Sequence, residues 1–202
     1  GLVRSGVAPD HPKIKSISAQ FDKTSADPRF RFFGNVKVGE HVQPSELADR
    51  YDAVIYAVGA QSDRLLGIPG EDLPGSVAAV DFVGWYNAHP HFGEITPDLS
   101  SGRAVVVGNG NVALDVARIL VSDPDMLAAT DIADHALDSL HDRGVEEVLV
   151  VGRRGPLQAP FTTMELRELD QMDALGDVDV VVDPADLADI TEEDLDAAGK
   201  TV

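Results

Sequence analysis

The sequence of 202 residues contains no cysteine, and that one absence removes disulfides, thiolate metal sites, iron–sulfur ligation and cysteine nucleophiles. It is compatible with a reducing cytoplasm, where the protein is expected. No apolar run approaches the roughly 18 to 20 residues that a membrane helix needs. The start, "GLVRSGVAPDHPKIK", also lacks the basic-then-apolar layout of a signal peptide. A soluble protein without a membrane span is expected. Positive charge is scarce as well: 16 Lys and Arg stand against 35 Asp and Glu, for a net charge of −19. Binding nucleic acid requires a basic stripe that displaces counterions from phosphates, so no nucleic-acid partner is expected.

What is present is enough apolar material, 44% of residues, to build a core. The charge is unevenly spread. Residues 1–102 carry 9 basic and 13 acidic side chains, whereas 103–202 carry 7 and 22. In the first part, "RFRFFGNVKVG" (29–39) reads as strand-like, "PSELADR" (44–50) as a short helix capped by Ser45, and "YDAVIYAVGA" (51–60) as a buried strand. Residues 67–102 are rich in Pro and Gly and read as a connector folded over a surface.

From 103 the pattern changes to successive α/β units. Strand "RAVVVG" leads to helix "NVALDVARILVS", helix "DIADHALDSLHDRG", strand "EEVLVVG", helix "TTMELRELDQM" and strand "DVDVVVD". The expected fold is α/β with a parallel sheet. Val112, Val116, Ile119 and Leu120 follow the rhythm of a helix packed on that sheet. The tail after 183 is acidic and weakly amphipathic.

"AVVVGNGNVALD" (104–115) sets Gly108, Gly110 and Ala113 in the spacing G-x-G-x-x-A, between an apolar strand and a helix. Gly108 suits the tight turn, Gly110 leaves room for a pyrophosphate near the backbone, and Ala113 lets the helix lie close to the strand. Free N–H groups at the helix start favour an anion. Asn109 and Asn111 are placed to add contacts. The alternative is a turn that needs glycine for geometry alone, and the strand–turn–helix context argues against it.

An NAD site usually ends its second strand in a carboxylate for the ribose 2′-OH, whereas a 2′-phosphate is met by arginine. Here "VVGRRGP" (150–156) places Arg153 and Arg154 at that tip. Guanidinium groups offer forked donors and keep their charge, which suits a phosphate. The pair lies 45 residues after Gly108, farther than the usual spacing, and the helix around 131–142 accounts for the excess. The other reading is that they offset nearby acids. Their scarcity in the acidic half favours NADP. His89 and His91 in "NAHPHFG" read as loop residues, since a metal would want a third ligand.

Taken in order, "GLVRSGVAPDHPKIK", "FFGNV", "YDAVIYAVGA", "VVGNGNVALDVARIL", "VGRRGP" and "APFTTMELREL" resemble the adrenodoxin reductase family and its bacterial ferredoxin–NADP reductase counterparts, over residues 1 to about 173. The resemblance implies a glutathione-reductase-like architecture of two dinucleotide-binding domains. It implies hydride transfer from NADPH to FAD, then electron delivery to a ferredoxin-type iron–sulfur protein. It places Asn109, Gly110, Asn111 and Val112 at the NADP pyrophosphate, Arg153 and Arg154 at the 2′-phosphate, and Glu165 in contact with NADP. His11 and Glu168 match polar residues close to the flavin and nicotinamide, with an orienting role in a reaction carried by the cofactors. Val36 matches a position that touches FAD. From the residues alone, His11 is an ordinary loop histidine, and Glu165 and Glu168 are two acids on one helix face that could be solvated.

The corresponding division is 1–60 as part of an FAD-binding domain, 61–102 as a connector, and 103–202 as an incomplete Rossmann-like NADP-binding domain. The N-terminal glycine fingerprint and the C-terminal segment of an FAD domain are not in the sequence. The expectation is a piece of a longer reductase that holds FAD poorly and is inactive alone. Two alternatives share the glycine turn: a flavoprotein like the glutamate-synthase small subunit, and a non-catalytic NADP-sensing module. Ferredoxins are acidic, so the strong negative charge here puts the basic docking face outside this chain or implies an unusual partner. An acid load this high is also what a salt-adapted host produces.

Overall fold

In the computed structural model, which describes residues 2–59, 62–176 and 178–198, the chain starts with short helices α1 (Leu2–Ser5), α2 (Pro12–Lys15), α3 (Ser18–Ser25) and α4 (Pro44–Ala48). Helices α2, α3 and α4 bury no residue. Helix α5 (Ala79–Tyr86) then enters the core, followed by strand β1 (Arg103–Val107) and helices α6 (Asn111–Val121), α7 (Pro124–Leu127) and α8 (Asp134–His141). Strand β2 (Glu147–Val151) returns parallel to β1, from Arg103 opposite Glu147 to Val107 opposite Val151. Helices α9 (Thr163–Leu175) and α10 (Glu192–Ala197) complete the order. This is the β–α–β crossover that the alternation from residue 103 predicts, with the helices packed on one face.

The core lies between that crossover and α5. Phe82, Trp85 and Tyr86 meet Val116, Ile119 and Leu120 of α6, Ala136 and Leu140 of α8, and the inward residues Ala104, Val106 and Val148 of the strands. Phe82 stacks at a tilt on Trp85 and edge-on to Tyr86, at centroid distances of 5.3 and 5.5 Å. On the opposite face Val105, Val107, Leu149 and Val151 are exposed. Helix α6 ends at Val121, Ser122 has left helical geometry, and Asp123 is extended as the residue before Pro124 is expected to be. Helix α9 begins at Thr162, whose hydroxyl accepts the Glu165 N–H at 3.5 Å, and ends at Gly176 with φ +78°.

Several local expectations change. Residues 29–39 form no strand, and only an isolated bridge joins Val38 to Val42. The apolar runs at 51–59 and 178–183 also stay irregular and exposed, with Ile55 and Val181 almost fully in solvent; residues 60 and 177 of those expected strands lie outside the described residues. A strand needs a neighbour for its backbone groups, and among the described residues none is paired with these runs. The stretch read as a surface connector contains α5, with five buried residues from Phe82 to Tyr86. Its Pro and Gly flanks concealed an apolar helix between them. The cap of α4 is Gln43, not Ser45, with the Glu46 carboxylate accepting the Gln43 N–H at 2.9 Å. Val112 is half exposed, while Leu114, Ala117 and Arg118 are buried with Val116, Ile119 and Leu120. No helix among the described residues is long and apolar enough to cross a membrane.

Candidate functional site

Helix α6 joins two groups of residues. At its N-terminus Gly108 takes φ +135°, a conformation that strongly favours glycine, and its N–H donates to Val151 O at 2.8 Å. That bond sets the glycine turn against the end of β2. The contact is close: a Cβ on Gly152 would come within 2.4 Å of Asn109 Nδ2. Gly110 is the N-cap residue and provides no side-chain cap, so the first N–H groups of α6 are left without one. Asn111 Oδ1 accepts the Thr162 N–H at 2.8 Å, and a Cβ on Gly110 would lie 3.6 Å from Pro160. Turn, arginine loop and entry to α9 therefore border one rim at the carboxyl ends of the two strands.

Arg153 and Arg154 follow Gly152 on that rim. Both are exposed, and among the described residues neither forms an ion pair, despite the acidity of the chain. The reading that they only offset neighbouring acids has no contact to support it.

The second group lies about 10 Å along α6, two turns from Asn111 at 1.5 Å per residue. Arg118, 3% exposed, forms its centre. Its Nε donates to Asp10 Oδ2 at 2.6 Å, and its Nη2 to Asp10 Oδ1 at 3.2 Å and to Asp115 Oδ1 at 2.8 Å; Nη2 also lies 2.6 Å from His11 Nε2. Its Nη1 lies 3.0 Å from Glu168 Oε2 and 3.4 Å from Glu165 Oε2. His11 Nε2 is also 2.8 Å from Glu168 Oε2. Helix α9 brings the two glutamates in on one face. The structure thus assembles His11, Glu165 and Glu168, far apart in sequence, around an arginine that the motifs did not single out.

Burial opposes the charge of Arg118, but the hydrogen bonds and charge of Asp10 and the charges of Asp115 and Glu168 more than offset this, and its pKa is raised. Burial also raises Asp115, against the pull of Arg118 and with the repulsion of Glu165. The Tyr86 phenol is pushed up by burial, then by Asp115 and Asp10, so it remains an O–H donor. Its hydroxyl is buried without a hydrogen-bond partner among the described residues. Folding therefore favours protonated Asp115. The resulting stabilisation is complete below the usual 3.8 and is lost as pH rises through the raised folded value. Asp115→Asn is expected to flatten the fall in thermal midpoint as pH is raised from 3.8 toward neutrality; an unchanged slope in a pH-resolved melting series would reject this account.

His11, Glu165 and Glu168 have the spacing of a metal triad, but the Arg118 guanidinium already holds the cationic position between them. His89 and His91 stack edge-to-face at 5.2 Å and join no metal-type cluster among the described residues. Val36 is half exposed on the irregular early segment, outside both hydrogen-bonded groups. Sequence reading missed Asp10, Tyr86, Asp115 and Arg118. The available signal was "LDVARIL", in which Arg118 sits one turn after Asp115 inside an apolar helix run.

The family model described as pyridine nucleotide-disulphide oxidoreductase matches residues 4–181. The chain is 77% identical over 200 residues to NADPH-ferredoxin reductase FprA of Mycobacterium tuberculosis, covering 99% of this chain and 43% of that protein. It is 49% identical over 198 residues to mitochondrial NADPH:adrenodoxin oxidoreductase of Bos taurus, covering 98% and 40% respectively. The solved structure of Mycobacterium tuberculosis FprA in complex with NADPH superposes with a TM-score of 0.92 at 77% identity, over 99% of this chain and 43% of that one. The chain spans less than half the length of these relatives.

Proposed function

Since the chain belongs to the pyridine nucleotide-disulphide oxidoreductase family, we propose that it is the NADP-binding part of an NADPH-dependent flavin reductase that delivers electrons to a ferredoxin-type iron–sulfur protein in the cytoplasm. The names of its relatives, an NADPH-ferredoxin reductase and an NADPH:adrenodoxin oxidoreductase, support the donor and the acceptor. The observation that carries the nucleotide choice is the pair of exposed arginines that form no ion pair among the described residues, beside a glycine turn that opens a helix.

In this reading Gly108, Gly110 and the N–H groups at Asn111 and Val112 receive the pyrophosphate, which the positive end of the α6 dipole favours. Asn109 borders the same turn. Arg153 and Arg154 hold the 2′-phosphate with charged forked donors. Bound NADPH supplies a hydride. Glu165 and Glu168 on α9, with His11, orient the groups nearest the reacting rings rather than move a hydride themselves. The flavin side of the reading, including Val36, rests on the family resemblance. The division at residues 60 and 102 belongs to the same proposal, with α5 serving the NADP-binding core.

The test is a calorimetric titration of the purified chain with NADP and with NAD. Tighter binding of NADP is expected. Equal affinity for the two, or affinity for neither, would overturn the assignment.

A further inference from the structure

The glycine turn carries two asparagines, and each meets a different neighbour of the turn. Asn109 packs on Gly152, where the loop of Arg153 and Arg154 begins. Asn111, the first residue of α6, joins the other side: its Oδ1 accepts the N–H of Thr162, 51 residues on, at 2.8 Å. Thr162 is the N-cap of α9, and its hydroxyl accepts the Glu165 N–H at 3.5 Å while its carbonyl accepts the Leu166 N–H at 3.2 Å. One of the N–H groups that a helix start leaves without an internal partner is therefore satisfied from another helix. Only the amide oxygen can meet a backbone N–H, so Thr162 fixes which way the Asn111 amide is turned and leaves its two Nδ2 hydrogens as donors. Among the described residues those donors form no hydrogen bond.

We propose that Asn111 is a positioning residue that couples occupation of the phosphate site at the start of α6 to the placement of α9. The inference rests on the reading of the glycine turn as a pyrophosphate site. A pyrophosphate held by the first N–H groups of α6 draws on the Nδ2 donors, which keeps the side chain from turning away from Thr162. The N-cap of α9 is then fixed, and with it the turns that carry Glu165 and Glu168 to Arg118. Without an anion the link is one neutral hydrogen bond with which water competes. Contacts made by the phosphates, remote from the nicotinamide, are in this way used to order the helix assigned to the nicotinamide end.

The probe is 2′-phospho-ADP, which has the pyrophosphate and the 2′-phosphate of NADP but not the nicotinamide riboside, so any effect on α9 must come from the phosphate end. Amide hydrogen exchange in the 202-residue chain is measured by NMR, free and saturated with this probe, with saturation set by calorimetry for each variant. In the wild type, saturation should slow exchange at Thr162 and at Leu166 to Glu168 about fivefold, the equivalent of one neutral hydrogen bond. Asn111→Ala should bind more weakly and, once saturated, lose that slowing. Asn109→Ala, a change on the arginine-loop side of the turn, should keep it. Asn111→Asp retains the acceptor but sets a negative charge beside the phosphates, so in the free chain it should protect Thr162 as the wild type does and bind the probe least well. Binding without slowed exchange in the wild type overturns the coupling, and so does slowing that persists in saturated Asn111→Ala. If Asn111→Ala does not fold, Asn111→Ser, whose side chain is too short to reach Thr162, takes its place under the same criterion. A wild-type chain that binds no probe removes the phosphate reading and the coupling with it, whereas binding with unchanged exchange removes the coupling alone.

Discussion

Replacing Arg153 and Arg154 together with alanine is expected to weaken NADP binding about 100-fold while leaving NAD binding within about threefold. A hydrogen bond to a charged group contributes about 1.5 to 3 kcal/mol, and each 1.4 kcal/mol is tenfold in affinity. Both side chains are exposed, so screening puts each at the lower end of that range. NAD carries a hydroxyl where NADP carries the phosphate, which is why the loss should be selective. Parallel titrations with both nucleotides measure the ratio directly, and raising the salt should narrow it. A uniform loss would mean that the arginines shape the loop rather than recognise the phosphate. That outcome has a structural route, because Gly152 packs so closely on Asn109 that a distortion of this loop would reach the glycine turn.

Arg118→Met is expected to cost about 3 to 5 kcal/mol of stability, the usual penalty for removing one partner of a buried ion network. The reason is what it leaves behind: Asp10, Asp115 and Glu165 would lose their shared cation, and the Arg118 links between α6, α9 and the Asp10–His11 segment would be lost. Domains are commonly stable by only about 5 to 15 kcal/mol, so a loss of this size is readily seen. The sign of its pH dependence is fixed by the carboxylates. Mild acidification neutralises some of them, beginning with Asp115, whose folded pKa is already raised, and should recover part of the lost stability. Urea denaturation at two pH values measures both effects. A cost below about 1 kcal/mol, or no recovery in acid, would show that the cluster is not held by this charge.

Much of the glycine-turn side of the candidate site was legible along the chain because its determinants are local. Gly108, Gly110 and Ala113 sit within six residues, and a strand ending at 107 followed by a helix starting at 111 is what that spacing requires. The parallel return of β2 followed from alternating periods of 2 and 3.6. The acidic cluster was not legible in the same way. His11 and Glu168 are 157 residues apart, and Arg118 lies 107 residues from His11. A motif can name His11 or Glu168, but nothing local tells that Arg118 faces inward to meet them. Likewise the run at 79–86 was hidden by the Pro and Gly around it, although its content of Phe82, Val83, Trp85 and Tyr86 becomes the heart of the core once α6 and α8 are folded against it.

The sequence by itself determined the α/β crossover, the glycine turn and the placement of two arginines at the tip of the second strand, because hydrophobic period and glycine geometry act over a few residues. The tertiary structure alone decided three further points. It left the apolar runs at 51–59 and 178–183 as irregular chain, because a strand exists only when another strand satisfies its backbone. It turned a stretch that looked like a connector into the core helix α5. And it gathered four carboxylates and His11 around Arg118, because burying charges from distant segments requires that they meet.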